Sequence, residues 1–160
     1  VASNPGVADD PLGFTFIDDK QRLARDLLEV RFMIEPQIAR MAAEHATNDQ
    51  VVCIKELCDE SERLAEAGED YSAADTAFHN AIAESSGNLV VPRLMGVLKA
   101  SVPLFIDVTG KKLVEETIRT HRGVADAIAS RNPTAAHDAM YLHLVYNRNM
   151  IAEGMQEQSE

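Results

Sequence analysis

The chain has 160 residues, 46% of them hydrophobic, and therefore has room for one domain with a substantial core. Its 15 basic and 26 acidic residues give a net charge of -11, which excludes the basic footprint that direct nucleic-acid binding requires. Cys53 and Cys58 form neither a CxxC motif nor a disulfide framework, and no apolar run reaches the roughly 18 residues of a membrane span, so we expect a cytoplasmic protein without membrane contact.

The first segment, residues 1–17, mixes Gly, Pro and Asp without a hydrophobic period. It is interpreted as a linker or tail. From Asp18 the pattern is helical almost to the end of the chain. We therefore predict one helical domain over residues 18–153, followed by a polar C-terminal tail over residues 154–160.

The first predicted helix runs from about Asp19 to His45. Pro36 lies inside it and predicts a kink or a break. Arg31 and Glu35 flank the apolar stripe at a spacing of four, so either they form an i, i+4 ion pair or Arg31 reaches inward to receive a ligand carboxylate. The apolar stripe itself follows helical spacing: Leu23, Leu27, Val30, Ile34, Ile38 and Met41.

The next helices are delimited by capping and terminating residues. Thr47 and Gln50 have the spacing of a capping box and predict a second helix that extends to about Ala67. A third helix is predicted from about Tyr71 to Ser86, ended by Gly87 as a typical C-terminal glycine.

Three further helices complete the pattern. Asn88 predicts the start of a fourth helix, which Pro103 would kink before an end near residue 110. A fifth is predicted over residues 112–130. Asn132 with Pro133 predicts the start of a sixth, which extends to about Ala152. Short connections between long amphipathic helices predict an all-α, antiparallel bundle of six to seven helices.

Metal-competent side chains fall on the inward faces of three of these helices. Asp75 and His79 are four residues apart and share one helix face. His121 lies in the apolar stripe of the fifth helix, and His143 lies in that of the sixth. Asn147 follows His143 by one turn and would bond either a ligand or a group beside the metal.

Two interpretations of these residues stay open on spacing alone. Each His could be a core residue with its own hydrogen-bond partner. Alternatively, one shared ion satisfies all four groups, whose separate burial without partners would cost about 1–3 kcal/mol each. Three imidazoles and a carboxylate suit Zn, Ni, Mn, Fe or Cu rather than Ca or Mg. The remaining histidines, His45 and His137, are expected to be solvated.

The chain resembles the FCD domain, the C-terminal effector domain of the FadR subfamily of GntR-type bacterial transcription regulators. The resemblance covers about residues 20–150, and the DxxFH motif with the two later histidines is its most specific part. The segments that carry it are LLEVRFMIEPQIARMAAEHAT (27–47), DTAFHNAIAESSGN (75–88), HRGVADAIASRNPTAAHDAM (121–140) and YLHL (141–144).

The resemblance implies a helical bundle with an internal cavity for a metal and a ligand. We expect Zn first as the ion, with Ni, Mn and Fe as alternatives. The ligand would be a small organic acid of the sugar-acid or hydroxy-acid class, whose carboxylate Arg31 would hold. The metal ligands that it implies are those singled out above from the helix faces: Asp75, His79, His121 and His143.

The resemblance also implies a homodimer that acts in transcription regulation and is not an enzyme. The DNA-binding winged helix-turn-helix of the family has no counterpart in these residues, so DNA contact is expected only through such an N-terminal domain. The alternatives are a small helical metalloenzyme that uses the same His₃Asp site and a purely structural dimerisation bundle. Against the enzyme, the sequence has no H-E-x-x-H, no G-x-S-x-G, no phosphate loop and no evident general base beside the site.

Overall fold

The computed structural model describes residues 12–98 and 114–157, which form α-helices and one short 3-10 helix, Phe14–Phe16. No strand occurs in these two ranges, and the predicted all-α class is confirmed. We number the helices in chain order: α1 Lys20–His45, α2 Asn48–Glu66, α3 Ser72–Glu84, α4 Val91–Leu98, α5 Val114–Ala129 and α6 Pro133–Glu157.

Helix α1 begins and ends as predicted. The side chain of Asp19 accepts a 2.9 Å hydrogen bond from the backbone nitrogen of Arg22, which satisfies one of the free donors of the first turn. The helix continues through Pro36, so the break expected there does not occur. The reason is tertiary, because α1 makes its most extensive contact along α6 and Pro36 is buried, which outweighs the one backbone hydrogen bond that proline removes.

The turns around α2 and α3 follow the local chemistry of the sequence. Thr47 and Gln50 form the predicted capping box, with bonds of 3.2 and 2.8 Å between each backbone nitrogen and the other residue's side-chain oxygen. Helix α3 ends at Glu84, slightly before the predicted end. Gly87 follows with φ of 74°, and a Cβ at this position would lie 3.3 Å from that of His45, so both backbone conformation and space require glycine.

The later helix starts are also set by side-chain caps. Asn88 Oδ1 accepts a 2.8 Å bond from the Val90 nitrogen just before α4, and Asn132 Oδ1 accepts a 3.1 Å bond from the Ala135 nitrogen at the start of α6. Helix α6 continues to Glu157, beyond its predicted end at Ala152.

Several sequence predictions lie outside the described residues. These are the linker over residues 1–11, the kink at Pro103 and the last three residues of the predicted tail. Within the described part of the predicted linker, Phe14 packs partly buried against the core.

Helices α1, α5 and α6 pack together, and α2 packs on both α3 and α5. The connections from α2 to α3 and from α5 to α6 are short, so each pair runs antiparallel. None of the described helices combines the length and apolar character needed to cross a membrane. The fully buried apolar side chains in the centre include Ile54, Phe78, Ile82, Val124, Ile128, Met140 and Leu144.

The buried face of α1 differs from the predicted apolar stripe in the middle of the helix, where Arg31 is buried instead of Val30. Val30 is 39% exposed, whereas Arg31 and Glu35 are each only 2% exposed. The prediction that Val30 faces the core is therefore wrong. The 3.6-residue period carries the buried line from Leu27 and Leu28 through this charged pair to Ile38, and so brings two opposite charges into the centre of the bundle.

Candidate metal centre

Four buried side chains from three helices meet at the centre of the bundle. Helix α3 contributes Asp75 and His79, α5 contributes His121 and α6 contributes His143. Their exposed fractions are 7%, 5%, 2% and 3%. We call these four residues the inner cluster. The structure thus brings together all four residues that the helix faces singled out.

The imidazoles of the inner cluster are close enough to share one ion. One ring nitrogen from each histidine lies within 4.8 Å of the other two. The carboxylate of Asp75 lies between two of the rings, with Oδ1 3.3 Å from His121 Nε2 and Oδ2 3.9 Å from His79 Nε2. The Nε2 atoms of His79 and His121 therefore face the same carboxylate.

The local sequence of α3 explains how it presents both groups. Asp75 and His79 are one turn apart, and the adjacent positions Phe78 and Ile82 are fully buried in the core. The ring of Phe78 lies 4.6 Å from that of His121 between centroids. An apolar wall thus backs the inner cluster and removes it from water.

Helix α1 adds a charged pair beside His79. Arg31 donates from Nε to Glu35 Oε1 at 2.5 Å and from Nη2 to Oε2 at 3.2 Å. Glu35 Oε2 also lies 3.1 Å from His79 Nδ1, and Arg31 Nη2 lies 3.4 Å from His79 Nε2. The i, i+4 ion pair is therefore formed, and it lies in the core with Arg31 turned inward.

His143 is held from both sides. Its Nδ1 lies 3.0 Å from Thr120 Oγ1, and its Nε2 lies 3.2 Å from Asn147 Nδ2. Asn147 is half-buried and adjoins the inner cluster, as its position one turn after His143 predicts.

Burial keeps two of the cluster imidazoles, those of His121 and His143, in their neutral, metal-binding form. Desolvation lowers the pKa of His121 to about 4, against the opposing effect of Asp75. Desolvation likewise lowers the pKa of His143 well below its usual value, and the neighbouring His121 and His79 add to this effect. Burial alone would raise the pKa of Glu35, but the charge of Arg31, with a further effect from the contact with His79, outweighs burial and lowers it to about 2.

The residues present fit a bound transition metal. Within the described ranges, His121 Nε2 is buried without a hydrogen-bond partner, and the approach of Asp75 Oδ1 does not complete one. A buried ring nitrogen without a partner costs about 1–3 kcal/mol. Imidazole nitrogens with one carboxylate oxygen are a donor set that suits Zn, Ni, Mn or Fe.

Two neighbours of the cluster were not assigned this role from the sequence. The sequence indicates only that Glu35 pairs with Arg31. The signal for its place beside the cluster is its position four residues after Arg31 on the buried face of α1. Thr120 carried no signal, since its contact with His143 joins two helices. The two other histidines lie away from the centre, as expected: His45 is exposed, and the partly exposed His137 contacts Asp138.

Comparison with known proteins identifies the domain. Residues 26–146 match the family model described as the FCD domain. The chain belongs to the FCD domain family. Among curated relatives of this FCD domain, an uncharacterized HTH-type transcriptional regulator, YcbG of Bacillus subtilis, is 29% identical over 82% of the chain and 55% of the relative. The galactonate operon transcriptional repressor of Escherichia coli is 29% identical over 85% of the chain and 61% of the relative.

A solved structure supports the same assignment. The FCD domain superposes on Streptococcus agalactiae GntR with a TM-score of 0.80 and 35% sequence identity, covering 93% of this chain and 69% of that one. The relatives named here are transcription regulators rather than enzymes, in agreement with the non-enzymatic prediction. The chain spans little more than half the length of the two curated relatives.

Proposed function

We propose that this FCD domain is the effector-sensing part of a cytoplasmic, homodimeric transcription regulator. The inner cluster binds one divalent transition metal, with Zn as the first expectation. A small organic acid of the sugar-acid or hydroxy-acid class binds beside the metal. Its occupancy controls DNA binding by an N-terminal domain outside these residues.

One observation carries the proposal. Three imidazoles and a carboxylate converge in a buried space, and one ring nitrogen there has no hydrogen-bond partner among the described residues. A metal would supply positive charge and a Lewis-acid centre for an anionic ligand when bound. The chain would hold this metal through the side chains of the inner cluster: Asp75, His79, His121 and His143.

The chain's own residues would orient the organic acid. Arg31 is buried and positively charged, and its Nη2 lies 3.4 Å from His79 Nε2. Its charge would therefore attract a carboxylate that binds beside the cluster. Burial opposes the charge on Arg31, but Glu35 outweighs this effect and raises its pKa, so it stays cationic. The amide of Asn147, next to His143, would bond a hydroxyl or carboxylate oxygen.

The fold gives such binding a route to the rest of the protein. The inner cluster joins α3, α5 and α6, while Arg31 belongs to α1, which packs along α6. An acid that contacts both Arg31 and the cluster would favour one packing of these helices over another. In a dimer, such a shift would change the separation of two DNA-binding domains.

Metal analysis of the purified domain tests the proposal directly. Under metal-replete conditions we expect about one transition-metal ion per chain, and its loss in the double variant His79→Ala/His121→Ala. The matched control is His45→Ala/His137→Ala, which removes two histidines away from the centre and should keep the ion. A metal-free wild-type domain would overturn the metal-centre proposal.

Effector binding is tested by thermal shift on the metal-loaded domain. The E. coli relative is named for a galactonate operon, which makes galactonate a rational first compound beside other sugar acids and hydroxy acids. A binding acid should raise the melting temperature in the wild type. The same acid should give no shift in Arg31→Met. Equal shifts in both proteins would remove Arg31 from the ligand site.

A further inference from the structure

We propose that Glu35 is a positioning residue that fixes His79 in the tautomer with its proton on Nδ1. This leaves the lone pair on Nε2, the ring nitrogen that faces Asp75. The use of that lone pair as a metal ligand rests on the proposed function. The tautomer itself follows from the neighbours of the ring, whether or not a metal binds.

The first line of evidence is the contact on the Nδ1 side. Glu35 Oε2 lies 3.1 Å from His79 Nδ1. The carboxylate of Glu35 accepts two hydrogen bonds from the Arg31 guanidinium, at 2.5 and 3.2 Å, and this charged pairing keeps it ionised. An ionised carboxylate only accepts hydrogen bonds, so Nδ1 must carry the proton that it donates.

The second line of evidence is the contact on the other side of the ring. Arg31 Nη2 lies 3.4 Å from His79 Nε2. A guanidinium nitrogen only donates, so in the metal-free protein Nε2 must present toward Arg31 the lone pair that a bound ion would use instead. In the opposite tautomer, the N–H on His79 Nε2 would face an N–H of Arg31, and the lone pair on Nδ1 would face the anionic oxygen of Glu35. Both contacts are buried, where such mismatches are most costly.

The geometry then connects this tautomer with the centre of the cluster. His79 Nε2 lies 3.9 Å from Asp75 Oδ2, and His121 Nε2 lies 3.3 Å from Oδ1 of the same carboxylate. The deprotonated nitrogen of His79 is therefore the one turned toward the other ligating atoms. A carboxylate behind a metal-binding histidine in this way orients the ring and raises its basicity.

His143 provides an internal comparison. Thr120 Oγ1 donates to the carbonyl of Glu116 at 2.7 Å, so the same oxygen can accept from His143 Nδ1 at 3.0 Å. On the other side of the ring, Asn147 Nδ2 approaches Nε2. The two histidines thus share a tautomer, but only His79 is held by a charged acceptor, which makes the stronger bond.

The test combines two measurements on the wild type and on Glu35→Gln. Long-range ¹H–¹⁵N spectra of metal-free protein near neutral pH report which ring nitrogen of each histidine is protonated. We expect His79 of the wild type to be protonated on Nδ1, and the variant to show a shifted or mixed population. Chelator competition with Zn²⁺ should give roughly 10- to 100-fold weaker binding in the variant.

The matched control is Glu44→Gln, which makes the same change in the exposed Arg40–Glu44 pair of α1. It should leave the tautomer of His79 and the zinc affinity unchanged. Glu35→Asp keeps the carboxylate and should keep the Nδ1 proton. A wild-type His79 protonated on Nε2 would overturn the proposal, as would unchanged zinc affinity in a folded Glu35→Gln. A wild type that binds no zinc but carries the Nδ1 proton would overturn the proposed function and leave the assignment of Glu35 supported.

Discussion

Helix α1 contains two pairs with the same residues at the same spacing, Arg31 with Glu35 and Arg40 with Glu44. In the first pair the side chains are 3% and 2% exposed, and the nearest N···O distance is 2.5 Å. In the second they are 55% and 35% exposed, and the distance is 3.3 Å. Within the described parts of the chain, only the inner pair also makes a polar contact with a residue of another helix, His79. One motif therefore gives a solvated surface pair and a component of the candidate site, and burial alone separates them.

The largest effect is expected from breaking each pair in turn. Arg31→Met leaves Glu35 buried without its counter-charge and should lower the free energy of unfolding by about 3–5 kcal/mol. Arg40→Met leaves a solvated carboxylate and should cost less than about 1 kcal/mol. Urea denaturation of the metal-free proteins measures both values. Equal losses would show that the two pairs do not differ as their burial indicates.

A double variant sharpens the same comparison. Arg31→Met/Glu35→Leu removes both buried charges and should recover much of the stability lost in the single variant, because no uncompensated charge remains. Since His79 then lacks its carboxylate, zinc affinity should stay reduced. A stable double variant with full zinc affinity would argue against the role of Glu35.

A second prediction contrasts buried and exposed histidines. The pKa of His121 is lowered to about 4 by burial, against an ordinary value of 6.5. Between these values the unfolded chain binds more protons than the folded one, so stability falls as the pH falls. Between pH 7 and 5, His121 alone should remove about 2 kcal/mol from the unfolding free energy of metal-free protein.

The measurement is urea denaturation at several pH values in the presence of a chelator. His121→Gln should reduce the slope of stability against pH, and His45→Gln, at an exposed position, is the matched control variant. An unfolding free energy that does not change over this pH range would contradict the neutral, buried assignment of His121.

A small effect is expected at a partly exposed group of three charged residues between two helices. Arg122 on α5 contacts Asp59 at 2.5 Å and also bonds Glu62, both on α2. The Arg122 side chain is 36% exposed, so Arg122→Gln should cost about 0.5–1 kcal/mol, and less at high salt because exposed charges are screened. Denaturation at low and high salt checks this. A loss as large as that of Arg31→Met would break the relation between burial and effect.

The sequence predicted the helix starts and the inward faces of the histidines correctly, but it predicted the wrong buried residues in the middle of α1. Helix starts at Thr47, Asn88 and Pro133 were predicted because a cap bonds backbone groups only two or three residues away. The positions of the histidines on inward faces followed from helical periodicity. The prediction that Val30 is buried was wrong because Val30 is the apolar neighbour of Arg31, and a hydrophobic pattern assigns the buried position to the apolar residue.

Within the site, the sequence by itself determined the residue types and the helix faces that carry Asp75, His79, His121 and His143. Only the tertiary structure decided that Arg31 is paired with Glu35 in the core and that both meet His79, since Arg31 and His79 are 48 positions apart. The physical reason is range. Caps and faces depend on neighbours within one or two turns, whereas a contact between helices depends on how whole helices pack, and no local spacing encodes that packing.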